Sequence, residues 1–235
     1  MKKLSILLLA IVCSFAAVAQ KVNDPNAEVR EAKNFHGISL SSAFDVYLSQ
    51  SNEEAVAVSA AETKHRDRIK VEVKDGILHI SYDSKGMSWS TGNKKLKAYI
   101  SFKQINKLDI SGACDVYITG TLKAGELSIK QSGASDLKGK LDVNKLTVDL
   151  SGASDMMVSG SATQLSVEAS GASDFKGYEL VSETCDARAS GASDIKITVN
   201  KELSAQASGA SDVRYKGNGV IRDIKSSGSS SVSKG

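Results

Sequence analysis

A five-residue string returns at a nearly constant interval through the second half of this chain, and that interval restricts the fold more than any other feature. SGACD stands at 111–115, SGASD at 132–136, 151–155, 170–174, 190–194 and 208–212, and a decayed SGSSS at 227–231. Its glycines fall at 112, 133, 152, 171, 191, 209 and 228, so successive spacings are 21, 19, 19, 20, 18 and 19. A fixed period of this size marks a solenoid, in which each unit stacks on the one before.

The columns between the repeats say what each unit buries. Four residues before the glycine stand Leu108, Ile129, Val148, Val167, Ala187, Ala205 and Ile224. Six before it stand Leu127, Leu146, Leu165, Cys185 and Leu203, with Asn106 and Arg222 at the two ends. Four after it stand Val116, Leu137, Met156, Phe175, Ile195, Val213 and Val232, while the odd positions between are charged or polar. Period-two alternation is strand patterning with one face buried, and the three- and four-residue spacing of a helix is absent. The expected fold is all-β: a right-handed parallel β-helix of about 19 residues per coil, its coils about 4.8 Å apart. Small residues at SGAS suit a tight corner where backbones approach closely.

Upstream the period is lost but strand signals persist. SSAFDVYL within 35–50 echoes SGACDVYI at 111–118, and alternating runs occur at Val56–Ser59, Ile69–Lys74, Ile77–Tyr82 and Leu96–Phe102. Asp75-Gly76 reads as a hairpin turn between two of them. One solenoid domain is therefore expected over 35–235, irregular over 35–107 and regular over 108–235, preceded by a polar, flexible lead-in at 20–34.

The first nineteen residues read as a secretory signal peptide, with Lys2 and Lys3, an apolar run from Leu4 to Phe15, and Ala17-Val18-Ala19 at the cleavage point. Lipid attachment at Cys13 is disfavoured because Val12 stands where a small residue is wanted. The apolar run is short for a membrane span, and nothing later is long enough to be one. The chain is thus expected to be exported, to the periplasm, the outer-membrane surface or beyond. Without Lys2 and Lys3 the formal charge of +3 falls to +1, which gives no reason to expect nucleic acid as partner.

FHGISLSSAFDVYLSQ at 35–50, VAVSA at 56–60, VEVKDGILHI at 71–80 and LDISGACDVYI at 108–118, followed by the SGASD ladder, resemble the head GIN domain family of putative autotransporter adhesins. The resemblance covers about residues 35–215 and implies an exported, adhesin-like surface protein. Its motifs are turns and strands, with no catalytic signature among them.

Chemistry has few places to reside. The aspartates Asp115, Asp136, Asp155, Asp174, Asp194 and Asp212 should point outward, one per coil. Neighbouring unit charges about 5 Å apart repel by roughly 0.8 kcal/mol in water, so something must offset them. Local turn hydrogen bonds can do so, with Ser135, Ser154, Ser173, Ser193 and Ser211 as donors. A bound calcium ion is the sharper alternative, and calcium is the one cofactor the column would suit. A second serine column (Ser111, Ser132, Ser151, Ser170, Ser190, Ser208 and Ser227) adds a hydroxylated stripe. Trp89, in a polar loop, is a candidate sugar contact. His36, His65 and His79 lack metal-ligand spacing, and His65, in ETKHRDR, reads as solvated.

Cys114 and Cys185 are separated by three or more coils, beyond disulfide reach. The reading that results is a non-catalytic surface protein binding glycan, protein or itself. A β-helix polysaccharide-degrading enzyme of the pectinase type, or a calcium-stabilised oligomerisation module, is the alternative. An enzyme would need a few unique carboxylates in a cleft, whereas these are repeated identically.

Overall fold

A computed structural model of the chain describes residues 24–86 and 94–235. The leader at 1–19, with Cys13, and the loop tryptophan Trp89 lie outside the described residues. In chain order the elements are β1 (Glu28–Arg30), β2 (Gly37–Leu40), β3 (Asp45–Gln50), β4 (Ala55–Ser59), the one-turn α1 (Thr63–Arg66), β5 (Ile69–Lys74), β6 (Ile77–Tyr82), β7 (Lys97–Phe102) and β8 (Lys107–Ile110). The repeat half follows as β9 (Asp115–Gln131), β10 (Asp136–Leu150), β11 (Asp155–Ala169), β12 (Asp174–Ala189), β13 (Asp194–Gly209), β14 (Asp212–Lys216), β15 (Val220–Gly228) and β16 (Ser231–Lys234).

These strands stack as a parallel β-solenoid of about seven turns, about 19 residues apart. Asp136 lies opposite Asp155, Leu146 opposite Leu165 and Val148 opposite Val167, so the columns read in the sequence are physical rows. Within β10 the buried residues are Leu137, Leu141, Val143, Leu146, Val148 and Leu150. Their two-residue spacing breaks at Asn144–Lys145, as it does at the SGAS turn. The alternate side chains fill a single continuous core.

The leucine row departs from fixed counting at both its ends. A bulge between Ile221 and Asp223 puts Ile221, not Arg222, opposite Leu203 in the leucine row. At the other end Ile105 is buried and Asn106 exposed. Cys185 sits opposite Leu165 and Leu203. Both cysteines are unpaired and buried, and burial pushes the Cys185 thiol far above its ordinary pKa.

The SGAS corner explains its own composition. Each glycine has positive φ, from 75° to 87° across Gly112 to Gly209, and the next residue's N–H donates to the corner carbonyl one coil back, as Ala153 does to Gly133 at 2.8 Å and Ala113 to Ser42 at 2.7 Å. A Cβ on Gly152 would lie 2.5 Å from that same carbonyl oxygen. The last serine of each motif turns inward rather than toward the aspartate. Ser193 is fully buried, and its Oγ donates to the Ser190 carbonyl at 2.9 Å and to Ala169 one coil back at 3.0 Å. Cys114 keeps this arrangement, its Sγ 3.5 Å from the carbonyls of Ser42 and Ser111.

The first coils are not stacked in chain order. β3 lies between β7 and β9, and β2 between β6 and β8, so the later segment 77–102 forms the outer coil. That coil is closed by antiparallel strands: β5 on β6 through the Asp75-Gly76 hairpin, and β4 then β1 on β7. Part of the expected lead-in is therefore ordered structure. Asp24 accepts a hydrogen bond from the Tyr99 hydroxyl at 2.9 Å, and Glu28 pairs with Arg66 at 2.7 Å. His65, expected in solvent, is buried, with Nδ1 2.8 Å from the Tyr82 hydroxyl. A charged run gave no sign that α1 is held down on β6 by this contact.

Two stability outcomes follow. Gly152→Ala forces a side chain into left-handed backbone and against the Gly133 carbonyl, and should cost about 2 kcal/mol or more in chemical unfolding. Gln131 occupies the row between Ile110 and Leu150, and its buried Oε1 has no partner. Its Nε2 donates to the carbonyls of Ser135, at 3.1 Å, and Asp155, at 3.4 Å, and the first of these already accepts from Asp155 N–H. Gln131→Leu should therefore stabilise by about 1–2 kcal/mol, read as an upward shift of the melting temperature.

Candidate binding face

The aspartate row is the most regular surface feature. It runs in register from Asp45 through Asp115, Asp136, Asp155, Asp174, Asp194 and Asp212 to Ser231, one coil longer at the front than the repeat alone implies. The side chains point outward because each precedes an inward residue, such as Leu137 or Phe175, on its strand.

Neighbouring cations offset this row. Two residues beyond the aspartates, on the same face, stand Lys138, Lys176, Lys196 and Arg214. Lys176 spans two coils, with Nζ 2.6 Å from Asp155 and 3.4 Å from Asp174. Arg214 does the same for Asp194 at 3.4 Å and Asp212 at 2.7 Å. The hydrogen bond it donates to Asp155, aided by the charge of both carboxylates, holds the Lys176 ammonium above its ordinary pKa. Ser231 adds a 2.6 Å hydrogen bond to Asp212. The inner serines do not contribute, since their hydroxyls bond to backbone inside the corner. Among the described residues no three His, Cys, Asp or Glu side chains are placed to hold a metal ion.

At its front end the same column is aromatic. Tyr47 stacks between Tyr99, with centroids 5.3 Å apart and planes at 13°, and Tyr117, at 5.5 Å and 20°. Both faces of the Tyr47 ring are covered by its neighbours, and the Tyr99 hydroxyl is taken up by Asp24. Burial and the nearby charges of Asp115 and Asp45 push the Tyr117 hydroxyl above its usual pKa. The repeated DVY of 45–47 and 115–117 was the available signal, and Tyr99 joins only through the out-of-order stacking of β7.

Beyond the tyrosines the face opens into a shallow groove of about 510 Å³, lined by Gly139, Met157, Val158 and Tyr178 with Lys138 and Lys196 at its rim. Met157 is 51% exposed there. The outer serine row is half-buried, and hydroxyls such as those of Ser111 and Ser151 donate to backbone carbonyls one coil back at 3.0 and 3.2 Å. It is a seam between coils more than a hydroxylated stripe. His36 packs at the Asp75-Gly76 turn, and His79 faces Ser39 and Glu72 on neighbouring strands.

The family model described as "Putative auto-transporter adhesin, head GIN domain" matches residues 34–219. The chain belongs to this family. Solved structures share the fold of this head GIN domain at low identity. A putative adhesin from Bacteroides fragilis is 22% identical with a TM-score of 0.80, over 88% of this chain and 95% of its own. Putative adhesins from Parabacteroides merdae and Parabacteroides distasonis give TM-scores of 0.69 and 0.68 at 16% and 18% identity. They cover 89% of this chain in each case, and 95% and 96% of their own. No curated protein matches. In this head GIN domain no helix among the described residues is long and apolar enough to cross a membrane.

The ion-pair account of the row has a measurable consequence. Lys176→Gln should lower stability by about 0.5–1 kcal/mol at low ionic strength, and 1 M salt should shrink the difference. Calcium at millimolar concentration should give neither heat nor a melting shift with the parent chain.

Proposed function

We propose that this chain is an exported, non-catalytic, adhesin-like module whose long flank binds a repetitive polar ligand, with glycan as the class the face suits best. One observation carries the reading: the same carboxylate recurs in register over seven coils beside a column of tyrosine, lysine and arginine. A polymer with a regular repeat meets many equivalent contacts on such a surface, each weak, and gains affinity by engaging several together. The apolar groove around Met157 and the Tyr117 ring edge supply the less polar contacts that sugar rings favour.

The family's adhesin description supports the same reading, as does the signal-peptide pattern of residues 1–19 for export. Identical carboxylates, each on its own coil and several already paired with lysine or arginine, are poorly suited to act as a dedicated acid and base.

A glycan-array screen run beside a polysaccharide-degradation assay tests it. Binding to one or a few glycan classes without turnover is the expected result, and Met157→Asp should weaken that binding at least tenfold. Reducing-end release from any bound polysaccharide would overturn the non-catalytic reading.

A further inference from the structure

The two ends of the solenoid are finished differently. At the front, antiparallel strands cover the outer coil. At the back, β15 pairs only with β13 and β16 only with β14, and among the described residues nothing lies on their outer edges. Ile224 stands in the inward row directly over the fully buried Ala205, yet is 38% exposed, and Ile221 in the leucine row is 45% exposed. Core-facing isoleucines and unpaired strand edges at one place are the chemistry of an unfinished sheet.

We infer that a second copy of this chain completes it, by antiparallel pairing of β15 with β15 about a two-fold axis through Ile224. Charge selects this occupant and this register. Around Ile224 the strand reads Asp223-Ile224-Lys225, and antiparallel pairing centred on Ile224 sets Asp223 of each copy opposite Lys225 of the other. Ile224 then meets its own counterpart on the core side. Asp223 and Lys225 already form a 2.7 Å ion pair within one chain, so the pairing makes an alternating set of four charges.

Shape agrees with charge. A coil ends as a ramp: β16 rises one strand spacing above β14, while residues 217–219 lie lower on the adjoining side, against Val199. A two-fold axis crossing the ramp opposite its step brings the high side of one copy onto the low side of the other. β15 lies opposite that step.

Sedimentation and light scattering on the purified chain test the inference. A dimer is expected. Asp223→Lys and Lys225→Asp should each raise its dissociation constant at least tenfold by placing like charges opposite one another, and the two together should restore it. Ile224→Cys should give a disulfide-linked dimer on non-reducing gels, since Cys114 and Cys185 are buried. Unchanged melting of the charge variants would show that the coil itself is intact. A monomer at high concentration, single charge variants that dimerise like the parent, or no cross-link through Ile224→Cys would each overturn it.

Discussion

Every coil of this protein is bound to the next by backbone hydrogen bonds at one strand spacing, and that single repeat distance governs everything else. It makes the nearest neighbour of a residue the one in the same place about nineteen positions away. Like therefore packs on like. Where the side chain is leucine or valine the outcome is a dry core; where it is aspartate the outcome is repulsion that the surface must relieve. The corner takes the tightest form of the constraint, because the carbonyl of one glycine occupies the space a Cβ would need on the next. Ser42 escapes it: at φ 89° it holds the corner position of the β2–β3 coil, and its hydroxyl accepts the Tyr82 N–H, with no matching SGAS turn beyond it among the described residues.

The aspartate row shows how the molecule handles the unfavourable side of stacking. One cation per two coils, at Lys176 and again at Arg214, bridges successive carboxylates. Such exposed pairs are individually weak. Their value here is that each offsets the repulsion between the two carboxylates it touches, while leaving a surface of mixed charge along the axis.

Much of this was legible because a solenoid converts sequence period directly into spatial adjacency. The Leu, Val and Met rows, the outward aspartates and the place of Cys185 all follow from counting. Counting fails where the chain inserts or reorders. The bulge at Arg222 shifts one row by a residue, and the tyrosine stack needs β7 to sit outside β3, which no local pattern encodes. His65 was missed for a different reason. Its neighbours are charged, and its burial comes from the hairpin strand carrying Tyr82, seventeen residues away. The serines of SGAS were misassigned because alternation breaks at a corner: it gives which way a strand residue points and says nothing about a turn residue.

The out-of-order front coil bears on how the chain reaches its native state. In the repeat half each new coil closes a loop of about nineteen residues, whereas Asp45 meets Asp115 only after seventy residues have been brought round. Chain-closure entropy makes that step costlier by about 1 kcal/mol. A chain threaded across a membrane from its leading end would emerge with β2 and β3 already out but their partners still to come. Those strands stay single until β6 and β7 follow to pair one edge of each, and the other edges are filled only when β8 and β9 arrive, so the earliest segment is completed well after it emerges.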